Sequence, residues 1–435
     1  VKKNVKTFYL ETLGCPRNET DSEAVIKILE ASNFRYSDSP ENSDIIIING
    51  CAFLKEAVSE SIDTILNLKS KNKDALFVVI GCLAQRYGSS LREAMNEVDL
   101  LIGTGSIERI PEIIAGGRSE VNSNYGFLGK NLYKEPHITC PHYRYIKIQE
   151  GCDFKCSFCV IPLLKGKSHS KKLPIIKEEI TNLPEEVKEI IIIGQNTTSW
   201  GKDLRGNFSL SNVIKEIAPL FSGWIRLLYF HPLSVTLDLL KTIQNLPNVI
   251  NYLDIPFQHI SDSVLSDMKR GYGKREIENL LEMIDKTGNF TLRTTFIVGF
   301  PTETEKNFKE LCAFIEDTTI EHIGVFGYSH EEGSASYSMP PHKDKLIMRR
   351  SKTLSTIIEE KAEQRNRKFV GKEMEVLIDG VEAGEYYGRT KISAPDIDPV
   401  IWISPETKNI KIGEIYRVLI TDALGVDIAG EIIPD

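Results

Sequence analysis

No apolar run in this sequence is long enough to cross a bilayer. The longest aliphatic runs, DIIIING at 44–50 and EIIIIG at 189–194, end after four isoleucines. The opening residues, VKKNVKTFYLETLGC, lack a secretory apolar core. The expected compartment is therefore the cytoplasm, with no membrane partner. Low-complexity tracts and solenoid repeats are also missing, so a stacked-repeat architecture is not expected. Cysteine is sparse, at eight residues in 435. In a reducing compartment these do not read as a disulfide framework, and clustered thiols point to metal or catalysis. Positive charge is not in excess either. The net charge is −8, and from Val370 onward six Lys/Arg face thirteen Asp/Glu, which leaves −1 for the other 369 residues. An acidic module is attached to a near-neutral body.

What is present is ordinary in bulk and specific in pattern. The length suits two to four domains with ample core. From Val5 to Gly117 the chain alternates strands and helices: KTFYLETLGC, DIIIING, ALFVVIG and VDLLIGTGS read as four strands. The continuous aliphatic runs belong to a parallel sheet covered on both faces. A polar connector spans about 116–141. Six strand-like runs follow, YRYIKIQEGC, EIIIIGQNT, WIRLLYFHP, YLDIPFQHI, FTLRTTFIVGFP and HIGVFGYSH, separated by helical stretches. Six βα units are too few for a closed eight-stranded barrel and predict an open, partial (β/α)6 one. A long charged helix then leads to short strands after Val370, read as a compact all-β module. The fold class is α/β throughout the first two regions, and the expected domains are 1–118, 138–367 and 370–435.

Three of the first strands end at a glycine followed by cysteine: LGC at Cys15, NGC at Cys51 and IGC at Cys82. Ligands of open α/β sheets bind at the carboxyl ends of strands. Adjacent strand ends would bring three thiols together, with glycines allowing close backbone approach. Three thiolates with one position left over suit an iron–sulfur cluster. A structural zinc site is the alternative, though no fourth Cys or His stands nearby in sequence.

The segment EGCDFKCSFCV places Cys152, Cys156 and Cys159 as C-x-x-x-C-x-x-C directly after the first of the six strands. Three thiolates on one loop can hold three irons of a cubane and leave the fourth open. An open iron on a strongly reducing cluster can cleave S-adenosylmethionine to a radical. A zinc knuckle would need a further ligand, and His169 lies beyond the usual spacing.

This loop, with Phe158 before its last cysteine, resembles the radical S-adenosylmethionine superfamily. Together with LGCPRN, NGCAF and IGCLAQR, the chain resembles the methylthiotransferases over nearly its whole length. IIIGQNTTSWG, LDIPFQHISDSVL and RTTFIVGFPTET are similar to that family's barrel motifs. The resemblance implies a radical-SAM barrel and a C-terminal TRAM-like domain. It implies two 4Fe-4S clusters, an auxiliary one on Cys15, Cys51 and Cys82 and a radical-generating one on Cys152, Cys156 and Cys159. One S-adenosylmethionine would supply a methyl group and another the radical.

TLGCPRNETDSE and GRTKISAPDIDPVIWI are similar to the branch that modifies an aspartate of small-subunit ribosomal protein S12, free or within the ribosome, rather than tRNA adenosine. An electron donor such as flavodoxin or ferredoxin is implied. Lys171 departs from the arginine usual in the family. The charge count points the same way, because a module gripping tRNA should be basic. An acidic one suits a basic protein, and Asp396 and Asp398 are expected among its docking acids. The alternatives are a tRNA adenosine methylthiotransferase and, in another class, a non-catalytic Fe–S protein binding ribosome or RNA.

Phe158, Gln195, Asn196 and Arg293 are the residues expected to bind S-adenosylmethionine. His231 and His259 end strands and are expected at the barrel mouth. Lys165, Lys167 and Lys171 form a basic loop that would steer an anion or lie solvated. Cys312 reads as a buried hydrophobe and Cys140 as a linker residue.

Overall fold

The computed structural model describes residues 5–122, 129, 138–206, 208–404 and 410–433. The connector expected at 116–141 therefore lies largely outside the described residues.

The first unit is a parallel sheet of β1 (Thr7–Thr12), β2 (Arg35–Tyr36), β3 (Ile45–Asn49), β4 (Leu76–Ile80) and β5 (Leu100–Ile102), in the order β2-β1-β3-β4-β5. Alternate side chains of a strand face opposite ways. Ile45, Ile47, Val78 and Ile80 pack against the helices Pro16–Ala31 and Ile110–Gly116. Ile46, Ile48, Phe77 and Val79 pack against Lys55–Lys71 and Cys82–Ala94. Both faces are thus covered, as the unbroken isoleucine runs require. Four strands were expected and five are present; β2 is a two-residue edge, too short to produce a periodic signal.

The second unit holds β6 (Tyr143–Lys147), β7 (Gln149–Glu150), β8 (His169–Ser170), β9 (Glu189–Ile193), β10 (Trp224–Leu227), β11 (Tyr252–Asp254), β12 (Thr291–Val298) and β13 (His322–Gly327). Six of these form the open barrel, as two parallel three-stranded sheets, β10-β9-β6 and β11-β12-β13. Backbone bonds from Ile225 N to Asn248 O (2.8 Å) and from Ile250 N to Ile225 O (2.9 Å) close the seam between them. The run YRYIKIQEGC is not one strand. It leaves the barrel after Lys147, and Gln149–Glu150 pairs antiparallel with β8. That short ribbon carries the cysteine loop.

After the helix Asp344–Asn366, the chain forms β14 (Glu373–Glu382), β15 (Glu385–Arg389), β16 (Ile401–Ile403), β17 (Ile415–Leu424) and β18 (Asp427–Ile432). These close into a barrel in the order β14-β15-β16-β18-β17 around Val376, Ile378, Ile401, Val418 and Ile420. Closure removes the exposed edges that short strands would otherwise present. No helix among the described residues is long and apolar enough to cross a membrane.

The loop before β16 seals the floor of the large barrel. Its Asp398 carboxylate accepts from Tyr252 Oη (2.5 Å) and pairs with Arg293 Nε at 3.2 Å. Only 1% of that side chain is exposed. Asp396, in a left-handed turn at φ +65°, accepts from Tyr145 Oη at 3.0 Å. The expectation of an outward docking acid is therefore corrected for Asp398, whereas Asp396 stays exposed. Tyr252 and Arg293 of the barrel engage Asp398, because a carboxylate that leaves water needs donors. Beside them, Glu189 holds Arg226 at 2.7 Å and also Arg389, which reaches Asp379 at 2.8 Å.

Candidate active site

β1, β3 and β4 are neighbours in the sheet, so the cysteines beyond their carboxyl ends converge. Cys15 caps the helix Pro16–Ala31 and Cys82 opens the helix Cys82–Ala94. Gly14 (φ +98°) and Gly81 (φ +79°) take the left-handed turns that lead into them. A Cβ on Gly14 would come within 3.0 Å of the Cys51 sulfur. Gly50 serves differently: its backbone lies against Leu83, where a Cβ would overlap the side chain.

The three thiols differ electrostatically. Burial pushes Cys51 up, and pushes Cys82 up to about 12. Burial also raises Cys15, but Arg17, by its charge and an Nε bond to the Cys15 sulfur at 3.5 Å, reverses this and holds the thiol below its ordinary value.

Gly151 (φ +71°) turns the chain from β7 into the second cysteine loop, and a Cβ there would overlap the Lys167 carbonyl. Backbone bonds fix the loop: Cys152 N to Gly166 O (3.1 Å), Cys159 N to Cys156 O (3.1 Å) and Ser157 N to Met268 O (3.0 Å). Burial raises Cys152, and raises Cys159 to about 12. All three thiols line a cleft of about 170 Å³ at the carboxyl ends of the barrel strands. Arg270 donates to Cys156 Sγ at 3.1 Å, to Tyr272 Oη at 2.7 Å and to Pro256 O at 3.0 Å. Among the described residues no three His, Cys, Asp or Glu side chains converge on a single metal ion. A cubane differs from a zinc site here, since each thiolate takes its own iron and the sulfurs need not share one centre.

Phe158, Gln195, Asn196 and His231 also line the cleft. Phe154 stacks on His231, with centroids 3.7 Å apart. Burial, then Arg270, lowers His231 to about 3, so its ring is neutral. Neither ring nitrogen has a hydrogen-bond partner among the described residues.

Arg293 is not in the cleft. Asp254 (3.1 Å) and Asp398 take up its guanidinium toward the floor. His259 is fully buried beside Glu303 at 3.7 Å rather than at the mouth. Lys165 and Lys171 do not steer solutes: Lys171 is buried against Glu179 at 2.9 Å, and Lys165 against Glu150 (2.8 Å) and Asp21 (3.2 Å). Lys167 is exposed. Cys312 packs on the barrel core, partly buried, and Cys140 packs near Tyr143.

Sequence reasoning missed Arg17, Phe53, Phe154, Tyr229, Gln258 and Arg270, all in the cleft lining. Tyr229 (φ +64°) and Gln258 (φ +70°) carry strained left-handed backbone, a feature that concentrates at functional sites. Arg17 and Phe154 had a signal, adjacency to the cysteines. Arg270 had none, because 114 residues separate it from Cys156.

Buried ion pairs hold the two thiol sets in register. Lys147 meets Asp21 of the first unit and Glu150 (2.7 Å), and Lys165 completes the square. Arg86 pairs with Glu331 at 2.7 Å on the other flank.

Residues 7–103 match an uncharacterised protein family, UPF0004; residues 146–315 match the radical SAM superfamily and 370–433 the TRAM domain. Ribosomal protein uS12 methylthiotransferase RimO of Thermoanaerobacter sp. (strain X514) is 38% identical over 436 residues, covering 98% of this chain and 100% of its own. The protein of that name from Geotalea uraniireducens (strain Rf4) is 42% identical over 441 residues, 98% of each chain. Among solved structures, the cobalamin-dependent S-adenosylmethionine radical enzyme OxsB, with aqua-cobalamin and S-adenosylmethionine bound, superposes with a TM-score of 0.54. Identity is 13% over 82% of this chain, which spans 56% of OxsB. At that identity the likeness is one of fold.

Proposed function

This chain belongs to the RimO family of ribosomal protein uS12 methylthiotransferases, radical SAM enzymes, and from that premise we propose that it methylthiolates an aspartate side chain of ribosomal protein S12 using two 4Fe-4S clusters. The family implies a 4Fe-4S cluster and S-adenosylmethionine. The second cluster is our assignment, made on the two cysteine triads. Cys152, Cys156 and Cys159 hold the radical-generating cluster, and Cys15, Cys51 and Cys82 hold the auxiliary one. The domains are then 1–118, 138–367 and 370–435, acting in the cytoplasm with a flavodoxin- or ferredoxin-type donor.

One observation carries the reading. Each triad lies beyond the carboxyl ends of parallel strands, and Arg17 is bonded to Cys15 while lining the cleft of Cys152, Cys156 and Cys159. The donor set fits the group, since thiolates are the ligands of such clusters, and glycine is needed beside them because a Cβ on Gly14 would crowd Cys51 and one on Gly151 would overlap the Lys167 carbonyl. When bound, such a cluster supplies the electron for reductive cleavage of S-adenosylmethionine and hence a radical able to break an unactivated C–H bond. The protein's part is positional. Arg270 fixes Cys156, the Phe154–His231 stack walls the cleft, and His231 stays neutral. Phe158, Gln195 and Asn196 are assigned to S-adenosylmethionine; Arg293 is not. The buried Asp21–Lys147–Glu150–Lys165 square keeps the two sites at one distance, as a handover between them requires.

The test is anaerobic reconstitution with S-adenosylmethionine and a reductant, followed by mass spectrometry of S12 and of tRNA. A methylthio mass gain on the S12 aspartate is expected. Gain on tRNA alone, or no 5′-deoxyadenosine, would overturn the proposal.

A further inference from the structure

The cleft lining contains two cations, Arg17 and Arg270, and no carboxylate. Their donors are used differently. Arg270 commits all three nitrogens, to Tyr272, Cys156 and Pro256. Arg17 commits Nε to the Cys15 sulfur and one Nη to Gly194 O at 3.2 Å. Its other Nη has no hydrogen-bond partner, and no carboxylate pairs with it, among the described residues.

Arg17 is nevertheless held still. Its guanidinium lies 4.6 Å above the ring of Tyr229, which the left-handed turn at that residue places beneath it. A half-buried, oriented cation with a spare Nη and, among the described residues, no carboxylate partner is a ready site for an anionic group. Two anions could reach it, a substrate carboxylate or the carboxylate of S-adenosylmethionine. Arg17 is bonded to the triad assigned to sulfur transfer. Arg17 also lines the cleft of Cys152, Cys156 and Cys159, and the acceptor of sulfur is the anion that has to reach both triads, whereas S-adenosylmethionine needs only the second.

We propose that Arg17 binds the side-chain carboxylate of the residue being modified and so selects an acidic side chain over its amide. This rests on the S12 reading above and adds the residue that reads the substrate's charge.

The test compares two S12 peptides, with aspartate or asparagine at the modified position, on the reconstituted enzyme. Anisotropy of labelled peptide, without S-adenosylmethionine, gives binding; turnover gives kcat/KM. Wild type should prefer aspartate at least about tenfold, because a site built for charge-assisted bonds rejects the analogue lacking the charge. In Arg17→Met the preference should collapse toward unity, with the KM for peptide raised and that for S-adenosylmethionine unchanged. Arg17→Lys, which keeps charge without the fork, should fall between.

Equal binding of the two peptides by wild type overturns the proposal. So does an undiminished preference in both variants, or a rise in KM for S-adenosylmethionine in place of that for peptide. If Arg17→Met loses iron, Arg17→Lys and the wild-type anisotropy decide the matter. Failure of the S12 reading looks different: wild type then modifies neither peptide while producing 5′-deoxyadenosine.

Discussion

At the floor of the large barrel, Arg293 is flanked by Asp254 and Asp398, and Glu189 by Arg226 and Arg389. At its mouth, among the described residues, Arg17 faces no carboxylate and neither ring nitrogen of His231, which lines the cleft, has a hydrogen-bond partner. The same strands supply both ends, and both ends bury polar groups. The difference is charge pairing. Charges on the floor have found opposite charges, so they join the small barrel to the large one. Groups at the mouth are oriented but incompletely paired, and that is where chemistry has room. Arg293 and Asp398 look functional in sequence because they are charged and near strand ends, yet they are fastenings.

The comparison breaks most visibly at the thiols. Replacing Cys152, Cys156 and Cys159 with Ala should remove about half the iron and reduce 5′-deoxyadenosine formation below detection. Replacing Cys15, Cys51 and Cys82 should remove the other half and abolish methylthiolation, while S-adenosylmethionine cleavage continues. Iron analysis with product chromatography reads both. Methylthiolation that survives the second replacement would make those cysteines structural.

On the floor the expected loss is of stability rather than chemistry. Glu189→Ala leaves Arg226 without its carboxylate and Arg389 with Asp379 alone, and loss of one partner of a buried ionic cluster costs about 3–5 kcal/mol. The chemical-denaturation midpoint should fall accordingly. A cost below about 1 kcal/mol would mean that the floor is not fastened as described.

The square that joins the two thiol sites should show in pH. Burial raises the Glu150 carboxyl, but Lys147 and Lys165 more than reverse this and depress it to about 2, against an ordinary 4.5. A depressed folded-state pKa contributes stability that is complete above about 4.5 and is lost as pH falls toward 2. The denaturation midpoint should therefore decline below about pH 4.5, and less steeply in Glu150→Gln. Parallel curves would remove Glu150 from the account.

The smallest effect belongs to the exposed acids of the small barrel, Glu382, Glu385, Asp422 and Glu431. Reversing them to Lys should leave stability within about 0.5 kcal/mol. It should slow S12 modification at low salt more than at physiological salt, where screening acts over about 8 Å. Salt-independent rates would exclude that face from docking.

The cysteine patterns, the isoleucine runs and the six βα units were legible in the sequence because they are local. A thiol spacing, a buried parallel strand and a strand–helix alternation are each written within a dozen residues. The acidity of the last 66 residues was legible too, as a sum, but not the fate of each acid: Asp398 turned inward, because Tyr252 and Arg293 lie over a hundred residues away in sequence and above it in space. The same limit hid Arg270 and misplaced Lys165, Lys171 and His259. Sequence determined which chemistry this protein has the ligands for. Only the tertiary structure decided which charged residues are paired and which remain available, since pairing depends on distances between strands that the chain order does not contain.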